Sequence, residues 1–122
     1  MATVMIVEDN VESSRFLQRM LQMEGHVAVC EAVGEGVVET VSRMKPDLLL
    51  VDVLLPGMSG IDLLKAVRES PGLQSVPVVM LSGVMDLQTQ SQAFEAGASD
   101  YIIKGLDWES FWGRIEPYLP KN

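Results

Sequence analysis

The sequence predicts an α/β fold with a doubly wound parallel sheet of five strands and five helices. Five short apolar runs alternate with segments whose apolar residues recur at helical spacing. The run Leu48–Val51 is apolar at every position, which is typical of a central strand covered by helices on both faces. The connections are short, and eight such units would be needed to close a barrel. These observations favour an open sheet with helices on both sides.

The predicted strands are short and predominantly apolar. Pro77 lies close enough to the start of the fourth strand to be tolerated there. In chain order the predicted strands are Thr3–Val7, His26–Cys30, Leu48–Val51, Val76–Leu81 and the segment GASDYII at residues 97–103.

Residues that favour helix ends bound the predicted helices. Asn10 is placed to cap the first helix and Gly25 to end it. One apolar face of that helix is formed by Phe16, Leu17, Met20 and Leu21. The other predicted helices are Glu35–Met44, stopped by Lys45-Pro46, then Ile61–Glu69, Leu87–Ala96 and Trp108–Tyr118, the last with Asp107 as its N-cap.

The last two predicted helices differ in apolar content. The segment DLQTQSQAFEAG, which contains the fourth helix, has few apolar residues to bury, so we expect this helix to be mobile. The fifth helix carries Trp108, Phe111, Trp112 and Ile115, which cannot all face one core at about 100° per residue. We therefore expect Trp112 to be at least partly exposed.

Composition limits the classes of function. The chain has 122 residues, enough for one domain spanning residues 1–122, and 48% of them are apolar. A net charge of −8 argues against nucleic-acid binding. No apolar stretch approaches the roughly 18 residues of a membrane span, and no signal-peptide pattern is present. With Cys30 as the single cysteine, we expect a cytoplasmic protein that contacts neither nucleic acid nor membranes.

Polar residues follow four of the predicted strands. Glu8 and Asp9 follow the first strand, Asp52 the third, Ser82 the fourth and Lys104 the fifth. Ligands of such sheets bind at the carboxyl ends of the strands, so we expect these side chains to meet. Three carboxylates repel one another, and Mg²⁺ is the cation that best relieves that repulsion. With Mg²⁺ bound, Asp52 is a candidate nucleophile toward a phosphoryl group, whose oxygens Lys104 and Ser82 would bind.

Four segments in this order resemble the receiver domain of two-component response regulators. MIVEDN is similar to the acidic pair of that family, and LLLVDVLLPGMSGIDLL is similar to its phosphoacceptor segment. VVMLSG resembles the segment with its switch hydroxyl, and AFEAGASDYIIKG resembles the segment with its aromatic switch position and its lysine. The resemblance spans nearly the whole chain. It implies a flavodoxin-like sheet with strand order 2-1-3-4-5.

The resemblance also implies a role for each site residue. Asp52 would accept a phosphoryl group from a histidine kinase or a histidine phosphotransfer protein. Asp9 and Asp52 would ligate Mg²⁺ directly, together with the backbone carbonyl of Leu54, and Glu8 would act through a metal-bound water. Such a domain is not a conventional enzyme, since it catalyses its own phosphotransfer and a slow autodephosphorylation.

The output of such a domain follows from a switch. Ser82 and Lys104 would hold the phosphoryl group, Ser82 would move toward it, and Tyr101 would turn inward. The surface formed by the fourth helix, fifth strand and fifth helix would then change and bind a downstream protein. The chain departs from the family at Gly105, where proline is usual after the lysine. We predict a trans Lys104–Gly105 bond or a rearranged loop, because a cis bond before a residue other than proline costs about 2.5–4 kcal/mol.

Other classes of function fit the sequence less well. The segment GEGVVE lacks the third glycine of a dinucleotide fingerprint, and no P-loop or G-x-S-x-G motif is present. A haloacid-dehalogenase-like phosphatase needs a second aspartate at position 54, which is Leu54. The remaining alternative is a receiver-like interaction module that acts without phosphorylation.

Overall fold

The sheet has five parallel strands in the order β2-β1-β3-β4-β5, as the sequence predicts. The structure is a computed structural model, and it describes residues 1–83 and 85–121. Neighbouring strands are in register, with Ile6 opposite Leu50 and Leu50 opposite Val79. The strands are β1 (Thr3–Val7), β2 (Val27–Glu31), β3 (Leu48–Asp52), β4 (Val78–Ser82) and β5 (Asp100–Ile103).

Five α-helices alternate with the strands. Side chains cap four of them at the N-terminus: Asn10, Ser59, Asp86 and Asp107 each accept a backbone N–H two or three residues ahead. The helices are α1 (Val11–Met23), α2 (Val37–Met44), α3 (Gly60–Glu69), α4 (Leu87–Glu95) and α5 (Trp108–Ile115).

Two apolar cores lie on opposite faces of the sheet. One packs α2, α3 and α4 against it, with Val41, Leu64 and Met80 fully buried. The other packs α1 and α5, with Leu21 and Ile115 fully buried. Every residue of β3 and β4 is buried, since both strands are covered on both faces. The predicted doubly wound fold is therefore confirmed.

Some predicted boundaries were wrong. The fifth strand begins at Asp100 rather than at residue 97, because Gly97 (φ +106°) ends the preceding helix. The last α-helix stops at Ile115 and continues as a 3₁₀ turn over Glu116–Tyr118.

The predicted apolar face of α1 was partly wrong, because Phe16 is 54% exposed. Ser14 and Leu21 are the buried residues of this helix, and Phe16 lies about 200° around the axis from Ser14. Phe16 instead borders a cavity of about 140 Å³ between α1 and α5, beside Lys104.

The two tryptophans of α5 are both partly buried. Trp112 is half-buried, as expected, and so is Trp108. The two indole rings stack with centroids 5.6 Å apart, and Trp112 also packs on His26 at 5.7 Å. Both rings shield the α1–α5 core from solvent.

Among the described residues, no helix combines the length and the apolar character that crossing a membrane requires.

Candidate functional site

The candidate site lies where β1, β3, β4 and β5 end. The main chain brings the strand ends together, since Lys104 N–H donates to the Ser82 carbonyl at 2.7 Å and Val53 N–H to the Leu81 carbonyl at 2.9 Å. Together with the parallel pairing of β1 and β3, these bonds bring Glu8, Asp52, Ser82 and Lys104 to one edge of the sheet.

Lys104 joins two of the carboxylates. Its Nζ lies 2.7 Å from Glu8 Oε2 and 2.7 Å from Asp52 Oδ2. The side chains of Glu8 and Asp52 are 1% and 8% exposed, whereas that of Lys104 is 32% exposed. Two nearly buried carboxylates therefore share one ammonium group, which offsets part of the cost of removing them from water.

The second oxygen of each carboxylate is also held. Glu8 Oε1 accepts the Asn10 N–H at 3.0 Å, and Asp52 Oδ1 accepts the Leu54 N–H at 3.0 Å. These backbone donors orient both carboxylates toward the shared lysine. They also mean that Leu54 contributes a backbone group to the site, while its side chain is 77% exposed.

Burial and charge shift two of the pKa values in the site. Burial raises the pKa of Glu8 above its usual value, and the hydrogen-bonded neighbour Asp52 raises it further, while Lys104 lowers it in part. Burial acts to lower the pKa of Lys104, but its hydrogen bonds to Asp52 and Glu8 outweigh that effect and raise the pKa. The ammonium form of Lys104 is thus favoured.

The three acidic residues form a group that fits a divalent cation. Glu8, Asp9 and Asp52 each offer a carboxylate oxygen, and these oxygens lie within 4.8 Å of one another. Asp9 is exposed, so the group opens to solvent on one side. An all-oxygen donor set with an open side suits Mg²⁺, which binds a few carboxylates and retains several waters.

Gly60, the last glycine of the Pro-Gly-x-x-Gly turn at residues 56–60, lets α3 approach Asp52 closely. Gly60 N–H donates to the Val53 carbonyl at 2.8 Å, and a Cβ on Gly60 would collide with the carbonyl oxygen of Asp52. The N-terminus of α3 therefore approaches the Asp52 backbone closely only because position 60 lacks a side chain. The available signal was a glycine directly after Ser59, the N-cap of α3.

The loop after Lys104 has a conformation that proline cannot adopt. No cis peptide bond occurs among residues 1–83 and 85–121, so the predicted trans Lys104–Gly105 bond is confirmed. Gly105 has φ +103°, whereas a proline ring fixes φ near −65°. This loop still places Lys104 Nζ against both carboxylates.

Tyr101 occupies the interior. The residue is 4% exposed and packs in the core that α3 and α4 cover. Its hydroxyl is buried and has no hydrogen-bond partner within the described part of the chain. A buried hydroxyl without a partner costs about 1–3 kcal/mol, so this inward position is held by packing of the ring.

Comparisons with known proteins agree with this geometry. A family model for the response regulator receiver domain matches residues 4–116. The transcriptional regulatory protein KdpE of Mycobacterium tuberculosis is 31% identical over 122 residues, which is all of this chain and 53% of KdpE. The chain thus spans about half the length of the full-length relatives it matches.

Solved structures share the fold. A response regulator from Chloroflexus aurantiacus has a TM-score of 0.90 at 32% identity and covers 96% of each chain. The BeF₃-activated N-terminal receiver domain of RstA from Klebsiella pneumoniae has a TM-score of 0.87 at 30% identity, covering 98% of this chain and 99% of that one. Fold, strand order and family match lead to one conclusion: the chain belongs to the family of response regulator receiver domains.

Proposed function

We propose that residues 1–122 form one receiver unit that acts as a phosphorylation-dependent signalling switch, with Asp52 as the phosphoacceptor. One observation carries the proposal: Lys104 Nζ lies 2.7 Å from carboxylates on two different strands, at the edge of the sheet where ligands bind. The phosphodonor is a histidine kinase or a histidine phosphotransfer protein. The bond from phosphorus to the donor imidazole nitrogen breaks as a bond from phosphorus to a carboxylate oxygen of Asp52 forms.

Different residues would bind Mg²⁺ and the phosphoryl group during this transfer. Asp9 and Asp52 would hold Mg²⁺, with the Leu54 carbonyl as a further ligand and Glu8 acting through a bound water. Mg²⁺, when bound, offsets negative charge on the phosphoryl oxygens. Lys104 would leave the oxygen of Asp52 that becomes bonded to phosphorus and pair with a phosphoryl oxygen instead, and Ser82 would donate a hydrogen bond to another.

The output is proposed to pass through the face formed by α4, β5 and α5. Tyr101 on β5 and Ser82 at the end of β4 would couple this face to the acceptor. The partner is a protein, since the charge of −8 disfavours direct contact with nucleic acid. The setting is proposed to be the cytoplasm, with no insertion into a membrane.

A second candidate function is a receiver-like module that binds its partner without phosphorylation. Two observations favour it: Lys104 already pairs with Asp52, and Tyr101 is already buried. In this case the inward position of Tyr101 would be the only state of the switch.

Intact-mass measurement after incubation with acetyl phosphate and Mg²⁺ separates the two functions. The switch predicts a gain of one phosphoryl group that is lost in Asp52→Asn and when Mg²⁺ is chelated. Asp62→Asn, which removes an exposed carboxylate in the first turn of α3, is the matched control and should gain the group normally. No gain in the wild-type protein, with either acetyl phosphate or a phosphorylated histidine donor, would favour the module.

A further inference from the structure

Arg68, near the end of α3, makes a set of contacts that the proposed chemistry does not use. Its guanidinium donates four hydrogen bonds to three backbone carbonyls. Nε and Nη2 both reach the Gly97 carbonyl, at 3.0 and 2.9 Å, while Nη1 reaches those of Val76 at 2.7 Å and Leu73 at 3.3 Å. Charge-assisted bonds of this kind are stronger than neutral ones, so Arg68 ties two separate segments to α3: the α3–β4 connection and the turn after α4.

The segment held at Gly97 is the C-terminal end of α4. Gly97 N–H donates to the Phe94 carbonyl and Ala98 N–H to the Ala93 carbonyl, both at 3.0 Å, which is a Schellman ending. Gly97 has φ +106°, and a Cβ there would lie 3.0–3.2 Å from side-chain atoms of Arg68. The turn therefore accepts Arg68 because residue 97 is glycine.

The chain beyond this turn is held as well. Ser99 N–H donates to the Val78 carbonyl at 2.8 Å, and Val78 N–H donates back to Ser99 Oγ at 3.1 Å. The Tyr118 hydroxyl donates to the Ser99 carbonyl at 2.9 Å. Residues 97–99 are thus attached to α3, β4 and the C-terminal 3₁₀ turn.

The N-terminal end of α4 is attached much less. Asp86 caps it through contacts within four residues, accepting from Gln88 N–H at 3.1 Å and from the Thr89 hydroxyl at 2.6 Å. None of residues 85–92 is buried, and Leu87 is 75% exposed. Ala93 is the first residue of α4 whose side chain is buried.

We propose that Arg68 is a positioning residue that fixes the C-terminal end of α4, so that rearrangement of this helix is confined to residues 85–92. Residues 85–92 then move, while the turn at Gly97 and the start of β5 stay in place. That phosphorylation of Asp52 causes this movement rests on the proposed function. The unequal attachment of the two ends does not depend on it.

Amide hydrogen exchange, resolved by residue with NMR on the full chain, tests the proposal. In the unphosphorylated wild-type protein, the amides of Gln90–Gln92 should exchange at least about tenfold faster than those of Ala96–Ala98. Arg68→Lys keeps the charge but loses the forked donors, so it should speed exchange at Ala96–Ala98 by about tenfold or more. Exchange in β3 should stay unchanged.

Arg43→Lys is the matched control, because Arg43 is exposed on α2 and contacts Thr40 at 3.5 Å. It should leave α4 unaffected. Gly97→Ala is a second variant: backbone strain at φ +106° together with a methyl group against Arg68 should loosen the turn and speed exchange at Ala96–Ala98. Equal exchange at the two ends of wild-type α4 would overturn the proposal, and so would an Arg68→Lys effect no larger at Ala96–Ala98 than in β3. If Arg68→Lys does not fold, the wild-type ratio and Gly97→Ala decide.

NMR spectra recorded with acetyl phosphate and Mg²⁺ then test whether phosphorylation causes the movement. Chemical-shift changes within α4 should be confined to residues 85–92 in the wild-type protein and extend to residue 98 in Arg68→Lys. Absence of phosphoryl uptake by mass would count against the proposed function alone, since the exchange result in the unphosphorylated protein stands by itself.

Discussion

The consecutive helices α3 and α4 cover the same face of the sheet, yet they are attached to it very differently. Each begins with a side-chain cap, Ser59 for α3 and Asp86 for α4. α3 buries five of its ten residues, whereas α4 buries one of nine, Ala93. Because burial of apolar side chains supplies most of the stability of a helix in a protein, α3 is held firmly along its length, whereas α4 is held weakly ahead of Ala93.

This difference matches the two sides of the candidate site. The loop between Asp52 and α3 is fixed by the close approach of Gly60, so Asp52 has a rigid support. The loop that follows Ser82 leads into α4, where little packing resists movement. One sheet thus carries a firmly supported carboxylate, Asp52 at the end of β3, beside a loosely packed helix, α4.

The largest expected effect contrasts core leucines with exposed ones. Leu64→Ala in α3 should lower the free energy of unfolding by about 2–5 kcal/mol, because the side chain is fully buried. Leu87→Ala in α4 should change it by no more than about 0.5 kcal/mol, because that side chain is 75% exposed. Urea unfolding measures the free energy of unfolding of both variants. Similar losses would contradict the difference in packing between α3 and α4.

The next largest effect concerns the lysine that Glu8 and Asp52 share. Lys104→Met leaves Glu8 and Asp52 close together without their shared cation, so it should lower the free energy of unfolding by about 2 kcal/mol, between the values for exposed and buried pairs. Mg²⁺ should recover part of the loss. Lys65→Met, at an exposed position of α3, is the control. A stability unchanged in Lys104→Met would show that the carboxylates need no partner.

Tyr101→Phe is expected to stabilise the protein by about 1 kcal/mol, since it removes a buried hydroxyl that has no partner among the described residues. Tyr118→Phe is the matched change and should have the opposite sign, because the Tyr118 hydroxyl donates to the Ser99 carbonyl at 2.9 Å. Thermal unfolding of both variants checks the pair. A loss of stability in Tyr101→Phe would mean that the hydroxyl is satisfied.

The smallest expected effect is a difference in pH dependence between the N-cap of α4, Asp86, and the N-cap of α3, Ser59. Hydrogen bonding to Thr89 and to backbone amides lowers the pKa of Asp86 below its usual value of 3.8. Its contribution is therefore present above that value and is lost as pH falls through the lowered pKa. Ser59, the cap of α3, does not titrate. The advantage of the wild-type protein over Asp86→Asn in urea unfolding should shrink as pH falls below about 4. A constant difference down to pH 2 would contradict this.

Much of the fold was predictable from local pattern. The continuous apolar run of β3 and the alternation of strands and helices indicate a parallel sheet, and the strand ends then place Glu8, Asp52 and Lys104 together. The strand order came from the family resemblance, because alternation alone does not set which strands pair. The exposure of Phe16 was missed, since a cluster of apolar residues on α1 does not reveal which of them β2 and α5 leave uncovered.

Contacts between distant residues account for the other omissions. The clamp of Arg68 on Gly97 joins residues 29 positions apart, and the close approach of Gly60 to Asp52 depends on how the loop folds back. Neither follows from composition or spacing. The trans bond at Lys104–Gly105 was predictable because it rests on the local cost of a cis peptide.

In the proposed switch, Asp52 is phosphorylated on a rigid support, and the resulting conformational change occurs at the loosely held N-terminal end of α4. NMR shift mapping with Mg²⁺ and beryllofluoride, a phosphoryl mimic, tests it most directly. We expect large changes around Asp52, Ser82 and Lys104 and along residues 85–92, with little change over residues 63–69 of α3. An unperturbed spectrum, or changes in α3 as large as those in α4, would contradict it.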